Sequence, residues 1–142
     1  MSHSIYHDLL INTPIKEIYD AITEPKHLVN WWPLRCEGKP KEGEIYNFFF
    51  APEYDWYGKV IKAEKEKSFH IKMIKSDADW DATSFGFELE QNDSNVLVNF
   101  WHVGWPECNA HYRRSSFCWA ILLNGLKKYV EKGIIIPFEE RE

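Results

Sequence analysis

Residues 110–133 read AHYRRSSFCWAILLNGLKKYVEKG, and this stretch decides the fold of the chain. Its apolar side chains recur at steps of three and four residues, which places them on one face of a helix: Trp119, Leu122, Leu123, Leu126 and Val130. Lysines lie near its end, and Gly133 suits the left-handed residue that ends many helices. A helix with so wide an apolar face needs a large apolar surface to cover.

Gly125 interrupts this helical stretch. A glycine inside a helix costs about 1 kcal/mol relative to alanine, so its presence needs a reason. We expect the backbone to lie close to the sheet or to an aromatic ring at this point. If it does, the substitution Gly125→Ala lowers the stability of the protein.

Six segments before the helix alternate apolar and polar residues, as half-buried β-strands do: residues 4–11, 44–50, 56–64, 68–74, 82–90 and 96–103. In the fourth, Phe69, Ile71 and Met73 lie on one side and polar residues on the other. The turn-forming cluster 91–95 joins the last two segments into a predicted hairpin. Successive strands joined by short turns indicate an antiparallel sheet.

Two short helices are predicted between the first two strand segments. Apolar residues at helical spacing define the first, from Ile15 to Ile22. Pro25 begins the second, and Pro33 ends it because proline cannot continue a helix. The predicted architecture is therefore α+β, with an antiparallel sheet and a long C-terminal helix.

The composition predicts one domain, residues 1–136, followed by an acidic tail, residues 137–142, in which we expect residues 138–142 to be frayed. The net charge is −5 at pH 7, which argues against nucleic acid and anionic membranes as partners. We expect neither a signal peptide nor a transmembrane segment, because no apolar stretch is long enough for either. Three cysteines without close pairing, Cys36, Cys108 and Cys118, favour a cytoplasmic location.

Aromatic residues make up 16% of the chain, which fits either a bulky core or a pocket lined by rings. The strand and helix periodicities place one set of side chains at the interface between the sheet and the helix. We predict that this set contacts an apolar ligand: Phe48, Phe69, Ile71, Phe85, Phe87, Phe100, Trp119, Leu122, Leu123 and Leu126.

His102 is the strongest polar candidate, because strand alternation places it on the same face as Val98 and Phe100. A buried imidazole can bind or protonate a ligand near neutral pH, and it can equally be a hydrogen-bonded histidine at a cavity rim. Arg113 and Arg114 open the long helix and are predicted at the pocket mouth, where arginine suits a carboxylate or phosphate. The alternative for this pair is a surface position beside the many acidic residues.

Two sets of possible metal ligands do not match known metal-binding patterns. His102, Cys108, His111 and Cys118 are separated by six, three and seven residues, which matches no familiar zinc pattern. Asp77, Asp79, Asp81 and Glu88 follow part of a calcium-loop template, but Ala82 stands where the template requires glycine. We therefore expect no metal, no cofactor and no assignable catalytic residue.

Several local stretches occur in an ordered set across nearly the whole chain. They are TPIKEIYDAITEPKHL at residues 13–28, Trp31-Trp32, Gly43 before Tyr46 and Phe48, Gly58-Lys59-Val60, residues 98–104, and Trp119 through Leu123, Leu126, Lys127 and Tyr129 to Gly133. This set resembles the START-like, helix-grip (SRPBCC) superfamily, in particular the branch named after the activator of the heat-shock-protein-90 ATPase.

The resemblance implies a seven-stranded antiparallel sheet curled around the C-terminal helix, with a cavity between them. Cavities of this superfamily hold lipids, polyketides, hormones and other apolar molecules. Some members are aromatases or cyclases, and others act on chaperones. The resemblance transfers no catalytic residue to this chain, and residues 104–112 depart from the usual pattern.

Three hypotheses for function follow. The first is a non-catalytic protein that binds a small apolar ligand, aromatic or acyl, with His102 or an arginine orienting its polar end. The second is an interaction module, co-chaperone-like, that binds a protein through the outer sheet face. The third is a cyclase or hydrolase with His102 as general acid or base, which requires a second titratable group within hydrogen-bond reach.

Overall fold

The computed structural model describes residues 2–141. Within them seven strands form one sheet: β1 (His3–Ile11), β2 (Arg35–Glu37), β3 (Ile45–Ala51), β4 (Tyr54–Glu64), β5 (Ser68–Lys75), β6 (Ser84–Gln91) and β7 (Val96–Trp105). The helices are α1 (Ile15–Thr23), α2 (Pro25–Leu28) and α3 (Ala110–Lys132), and a short 3-10 helix covers Phe138–Glu140. None of the helices in this part of the chain has both the length and the apolar character needed to cross a membrane.

The strand order is β1-β7-β6-β5-β4-β3-β2, and every neighbouring pair is antiparallel. The predicted hairpin between the last two strands is confirmed, with Phe87 opposite Phe100. From β2 to β7 each strand pairs with the next one along the chain, and β1 closes the other edge by pairing with β7. The predicted antiparallel sheet, long C-terminal helix and two short helices after the first strand are confirmed.

Helix α3 has the predicted boundaries and the predicted buried face. Asn109 caps its first turn by accepting a hydrogen bond from the Tyr112 amide at 3.0 Å, and Gly133 ends it with φ of 69°. Trp119, Leu123 and Leu126 are each at most 2% exposed. Three hydrogen bonds hold α3 along β1: Tyr112 Oη donates to the Ser4 carbonyl, His7 Nε2 to the Ser116 carbonyl and Lys127 Nζ to the Leu10 carbonyl.

Buried polar groups join the C-terminal end of α1 to the aromatic core. Tyr46 Oη donates to the Thr23 carbonyl at 2.6 Å, and Trp31 Nε1 donates to the Ala21 carbonyl at 2.9 Å. Both carbonyls lie near the C-terminal end of α1, where the backbone has no partner within the helix. The aromatic core therefore satisfies the end of α1 while it packs against it.

Two expectations from the sequence are wrong. A Cβ atom at Gly125 would meet only Cδ1 of Ile136, at 3.6 Å, so neither the sheet nor a ring crowds this position. The end of the chain is not frayed up to residue 141. Arg141 is 8% exposed, and its guanidinium donates to the carbonyls of Ile136, Trp32 and Pro33, which anchors the segment after the long helix. The domain boundary after residue 136 stays a prediction.

Candidate functional site

A groove of about 660 Å³ opens beside the first half of α3. The β3–β4 hairpin, the loop before β6 and the C-terminal segment form its other walls, and we call it the hairpin groove. Seven of its lining residues are aromatic: Trp32, Phe50, Tyr54, Trp56, Trp80, Trp119 and Phe138. The others are Asp77, His111, Arg114, Ser115, Cys118, Leu122 and Arg141.

Five of these rings form a closed circuit of contacts. Neighbouring centroids lie 5.2 Å apart for Phe50 and Trp56, 4.6 Å for Trp56 and Trp80, 6.1 Å for Trp80 and Trp119, 4.9 Å for Trp119 and Trp32, and 5.8 Å for Trp32 and Phe50. Aromatic pairs at these separations attract each other by about 0.5–1.5 kcal/mol beyond the area they bury. The mutual contacts hold the rings in place and give the groove a preformed apolar wall.

The alternation of β3 and β4 explains why the hairpin supplies two of these rings. Phe50 shares the inward side of β3 with buried Phe48, and Trp56 lies directly opposite Phe48 on β4. The register then shifts between Phe49 and Ala51, at the tip of the hairpin. Phe50 and Trp56 are half-buried because they stand where the core ends and the groove begins.

His102 lies behind the groove wall and is completely buried. The indole N–H of Trp119 can only donate, so it donates to His102 Nδ1 at 3.0 Å and fixes the neutral tautomer that carries its proton on Nε2. Nε2 then donates to Thr83 Oγ1 at 2.8 Å, and Thr83 donates to the Trp80 carbonyl at 2.7 Å. Burial lowers the pKa of His102 to about 3, with a smaller contribution from His111.

This chain of hydrogen bonds indicates a structural role for His102. Its hydrogen-bond partners in the described residues are Thr83 and Trp119, neither of which titrates near neutral pH. The second titratable group that the enzyme hypothesis requires within hydrogen-bond reach is therefore not found there. His102 joins β7 to α3 through Trp119 and to the loop before β6 through Thr83.

Two indole N–H groups near His102 lack an acceptor in the described part of the chain, those of Trp80 and Trp105. Their ring centroids lie 4.5 Å and 4.8 Å from that of His102. A buried donor without an acceptor costs about 1–3 kcal/mol.

The predicted ligand contacts divide into two groups. Trp119 and Leu122 line the hairpin groove. Eight others are at most 2% exposed, belong to the core cluster and do not line it: Phe48, Phe69, Ile71, Phe85, Phe87, Phe100, Leu123 and Leu126. That any of these side chains contacts a ligand stays a prediction.

The two predicted mouth arginines also separate. Arg114 lies in the wall of the groove. Arg113, its neighbour in sequence, is exposed, does not line the groove, and donates from its guanidinium to the Cys108 carbonyl at 3.0 Å. The helix turns by about 100° between successive residues, so two adjacent arginines point in different directions.

The sequence reasoning missed most of the groove. Asp79 Oδ2 accepts a hydrogen bond from His111 Nδ1 at 3.1 Å, across 32 positions of sequence, so no local spacing could reveal the pair. Trp80 did carry a signal, because a tryptophan within an acidic loop is unusual on a solvated surface.

Within residues 2–141 no three His, Cys, Asp or Glu side chains lie close enough to hold a metal ion.

A second groove, of about 700 Å³, lies beside β2 and β3. Its wall contains two cationic side chains, Lys26 and Arg35, and two carboxylates, Glu37 and Asp55. The guanidinium of Arg35 already covers the ring of Phe49, at 4.1 Å from its centroid. This wall offers an apolar ligand less uncovered surface than the hairpin groove does, so we take the hairpin groove as the candidate site.

Comparisons with known proteins agree with this fold. The family model described as "Activator of Hsp90 ATPase homolog 1-like protein" matches residues 12–131. No curated protein matches the chain.

Among solved structures, the Aha1 dimer from Colwellia psychrerythraea is 26% identical, with a TM-score of 0.84 over 92% of this chain and 98% of that one. Protein SSP2350 from Staphylococcus saprophyticus is 14% identical, with a TM-score of 0.80 over 95% and 96% of the two chains. CalU16 from Micromonospora echinospora is 19% identical, with a TM-score of 0.76 over 99% and 84%. The chain belongs to the family of activator of Hsp90 ATPase homolog 1-like proteins, within the START-like (SRPBCC) superfamily.

Proposed function

We propose that the protein binds a small apolar ligand, aromatic or acyl, in the hairpin groove. The observation that carries this proposal is the closed circuit of five rings in the wall of a groove of about 660 Å³. Ligand sites in proteins are concave, largely apolar and about 300–1,000 Å³ in volume. The ring contacts also prearrange the wall, so binding requires little ordering of side chains.

The proposal is tested with N-phenyl-1-naphthylamine, a neutral probe that becomes fluorescent in apolar surroundings. Tyr54 lines the groove and is 47% exposed, so Tyr54→Ala removes a wall ring without opening the core. We expect the Kd for the probe to rise by about two- to tenfold, the value of one aromatic contact. The matched control is Tyr6→Ala, because Tyr6 is 70% exposed on β1 and does not line the groove.

Native mass spectrometry of freshly purified protein gives an independent check. A co-purified small molecule that is lost after Tyr54→Ala and retained after Tyr6→Ala would support the proposal. A probe that binds both variants as tightly as the parent protein would place its site elsewhere and contradict the proposal.

The proposal includes a cytoplasmic location. Cys108 is an exposed thiol, and a reducing compartment preserves such a group. Burial raises the pKa of the Cys36 thiol to about 12, which keeps that group protonated. Cell fractionation followed by thiol labelling of Cys108 tests the location, and recovery in an oxidising compartment would contradict it.

A second candidate is an interaction module that acts on a chaperone. The family description favours it, and so do large exposed rings such as Phe117 on α3, which is 68% exposed. The test is ATP hydrolysis by heat-shock protein 90 with and without this protein, repeated with Phe117→Ser. Stimulation that the substitution abolishes supports this function, and an unchanged rate of hydrolysis excludes it.

A further inference from the structure

The guanidinium of Arg114 lies in the wall of the hairpin groove. Within residues 2–141 it makes no hydrogen bond and no ion pair. Three other arginines have partners within the protein. Arg141 donates to three carbonyls, Arg113 donates to the Cys108 carbonyl, and Arg35 covers the ring of Phe49. A guanidinium presents five donors in a planar fork that matches the oxygens of a carboxylate or sulfonate. The groove wall therefore includes a guanidinium whose donors are not used within the described residues.

The helix dipole makes the position of Arg114 slightly unfavourable for a cation. It is the fifth residue of α3, close to the end where the helix dipole is positive and disfavours cations. Within residues 2–141 no carboxylate forms an ion pair with Arg114, and the Asp79 carboxylate is hydrogen-bonded to His111. An anion bound in the groove would compensate for the unfavourable effect of the dipole.

The charges that line the groove also favour an anion. They are two guanidiniums, Arg114 and Arg141, and one carboxylate, Asp77, beside the ring of His111. The two guanidiniums outnumber the one carboxylate, so the lining carries more positive than negative charge, although the chain carries a net charge of −5. Asp77 lies more than 4 Å from any cation in the described residues, so it does not neutralise Arg114.

We propose that the ligand class of the hairpin groove is an aromatic anion. Its rings lie against the aromatic wall, and its carboxylate, sulfonate or similar group pairs with the Arg114 guanidinium. This inference rests on the proposed function, since it names the kind of molecule that the same groove binds. It makes Arg114 the residue that distinguishes an anionic ligand from a neutral one of equal shape.

Two fluorescent probes that share one ring skeleton and differ in charge separate the effect of ligand shape from the effect of ligand charge. N-phenyl-1-naphthylamine is neutral, and 8-anilinonaphthalene-1-sulfonate carries the same rings with an added sulfonate. The chain offers a matched pair of variants, Arg114→Gln and Arg113→Gln, which remove the same charge from adjacent exposed residues. Only the first of them alters the groove wall. Circular dichroism confirms that both variants keep the helix.

We expect the parent protein to bind the sulfonate probe more tightly than the neutral one. Arg114→Gln should raise the Kd for the sulfonate probe about fivefold and leave that for the neutral probe within about twofold, as expected for loss of one charge-assisted pair. Arg113→Gln should change neither Kd. Raising NaCl from 0.05 to 0.5 M should weaken sulfonate binding in the parent protein and have little effect in Arg114→Gln, because salt screens an ion pair.

Each other outcome has a defined meaning. If the neutral probe binds in the groove and Arg114→Gln leaves the sulfonate probe unaffected, this inference is wrong and the proposed function stands. If both arginine variants weaken the sulfonate probe equally, the effect is one of net charge and the inference is again wrong. If neither probe binds, the proposed function fails, and this inference fails with it.

Discussion

Acidification from pH 7 to pH 5 should destabilise the protein through His102. The unfolded chain protonates this histidine near its ordinary pKa of 6.5, whereas burial lowers the native pKa to about 3. Between these values the unfolded state binds more protons than the native state, so stability is full above pH 6.5 and falls as the pH falls. The slope is about 1.36 kcal/mol per pH unit, which gives about 2 kcal/mol lost by pH 5.

The assay is urea denaturation followed by tryptophan fluorescence at pH 7, 6 and 5, on the parent protein and on His102→Gln. Glutamine can accept from Trp119 and donate to Thr83 without titrating, so the difference between the two pH slopes isolates His102. Equal slopes would refute the reasoning. If the variant does not fold, the ring ¹⁵N shifts of the parent protein decide, because protonation of His102 at pH 5 would equally refute it.

Substitutions at three positions test the packing by urea denaturation. Thr83→Val should cost about 2–4 kcal/mol because it removes an acceptor and a donor from the buried hydrogen-bond chain, while Thr83→Ser should cost about 1 kcal/mol; equal losses would contradict this role. Gly125→Ala should stabilise by about 0.5–1 kcal/mol, since its Cβ meets only Ile136 at ordinary contact distance, and destabilisation would reveal crowding. Gly86→Ala should cost about 1–3 kcal/mol, because its Cβ would lie 2.6 Å from Cζ2 of Trp101, and an unchanged midpoint would disprove this contact.

Periodicity predicted the elements whose burial is regular. Helix α3 buries Trp119, Leu123 and Leu126 on one face, as the spacing indicates, and the long strands alternate as expected. The short strand β2, Arg35–Glu37, escaped this reasoning because three residues without an apolar pattern carry no periodic signal. Only the family resemblance implied a seventh strand.

The site was less predictable because its contacts join distant parts of the chain. His102 was expected near a ligand from its strand face, but its position depends on Thr83, 19 residues earlier, and Trp119, 17 residues later. Phe50 and Trp56 follow the same alternation as the core residues. The alternation of apolar and polar residues along a strand does not show where the core ends. The frayed tail was wrong for a similar reason, since the carbonyls that hold Arg141 include two more than a hundred positions earlier.

The most direct test of the account is a nuclear magnetic resonance titration with N-phenyl-1-naphthylamine. It would follow the indole N–H signals of Trp56 in the hairpin groove and Trp101 on the sheet, together with the methyl signals of buried Leu126. We expect saturable shifts at Trp56, with the signals of Trp101 and Leu126 unchanged. Shifts at Trp101 or Leu126 without a shift at Trp56 would place the ligand on the outer face or in the interior and contradict the account.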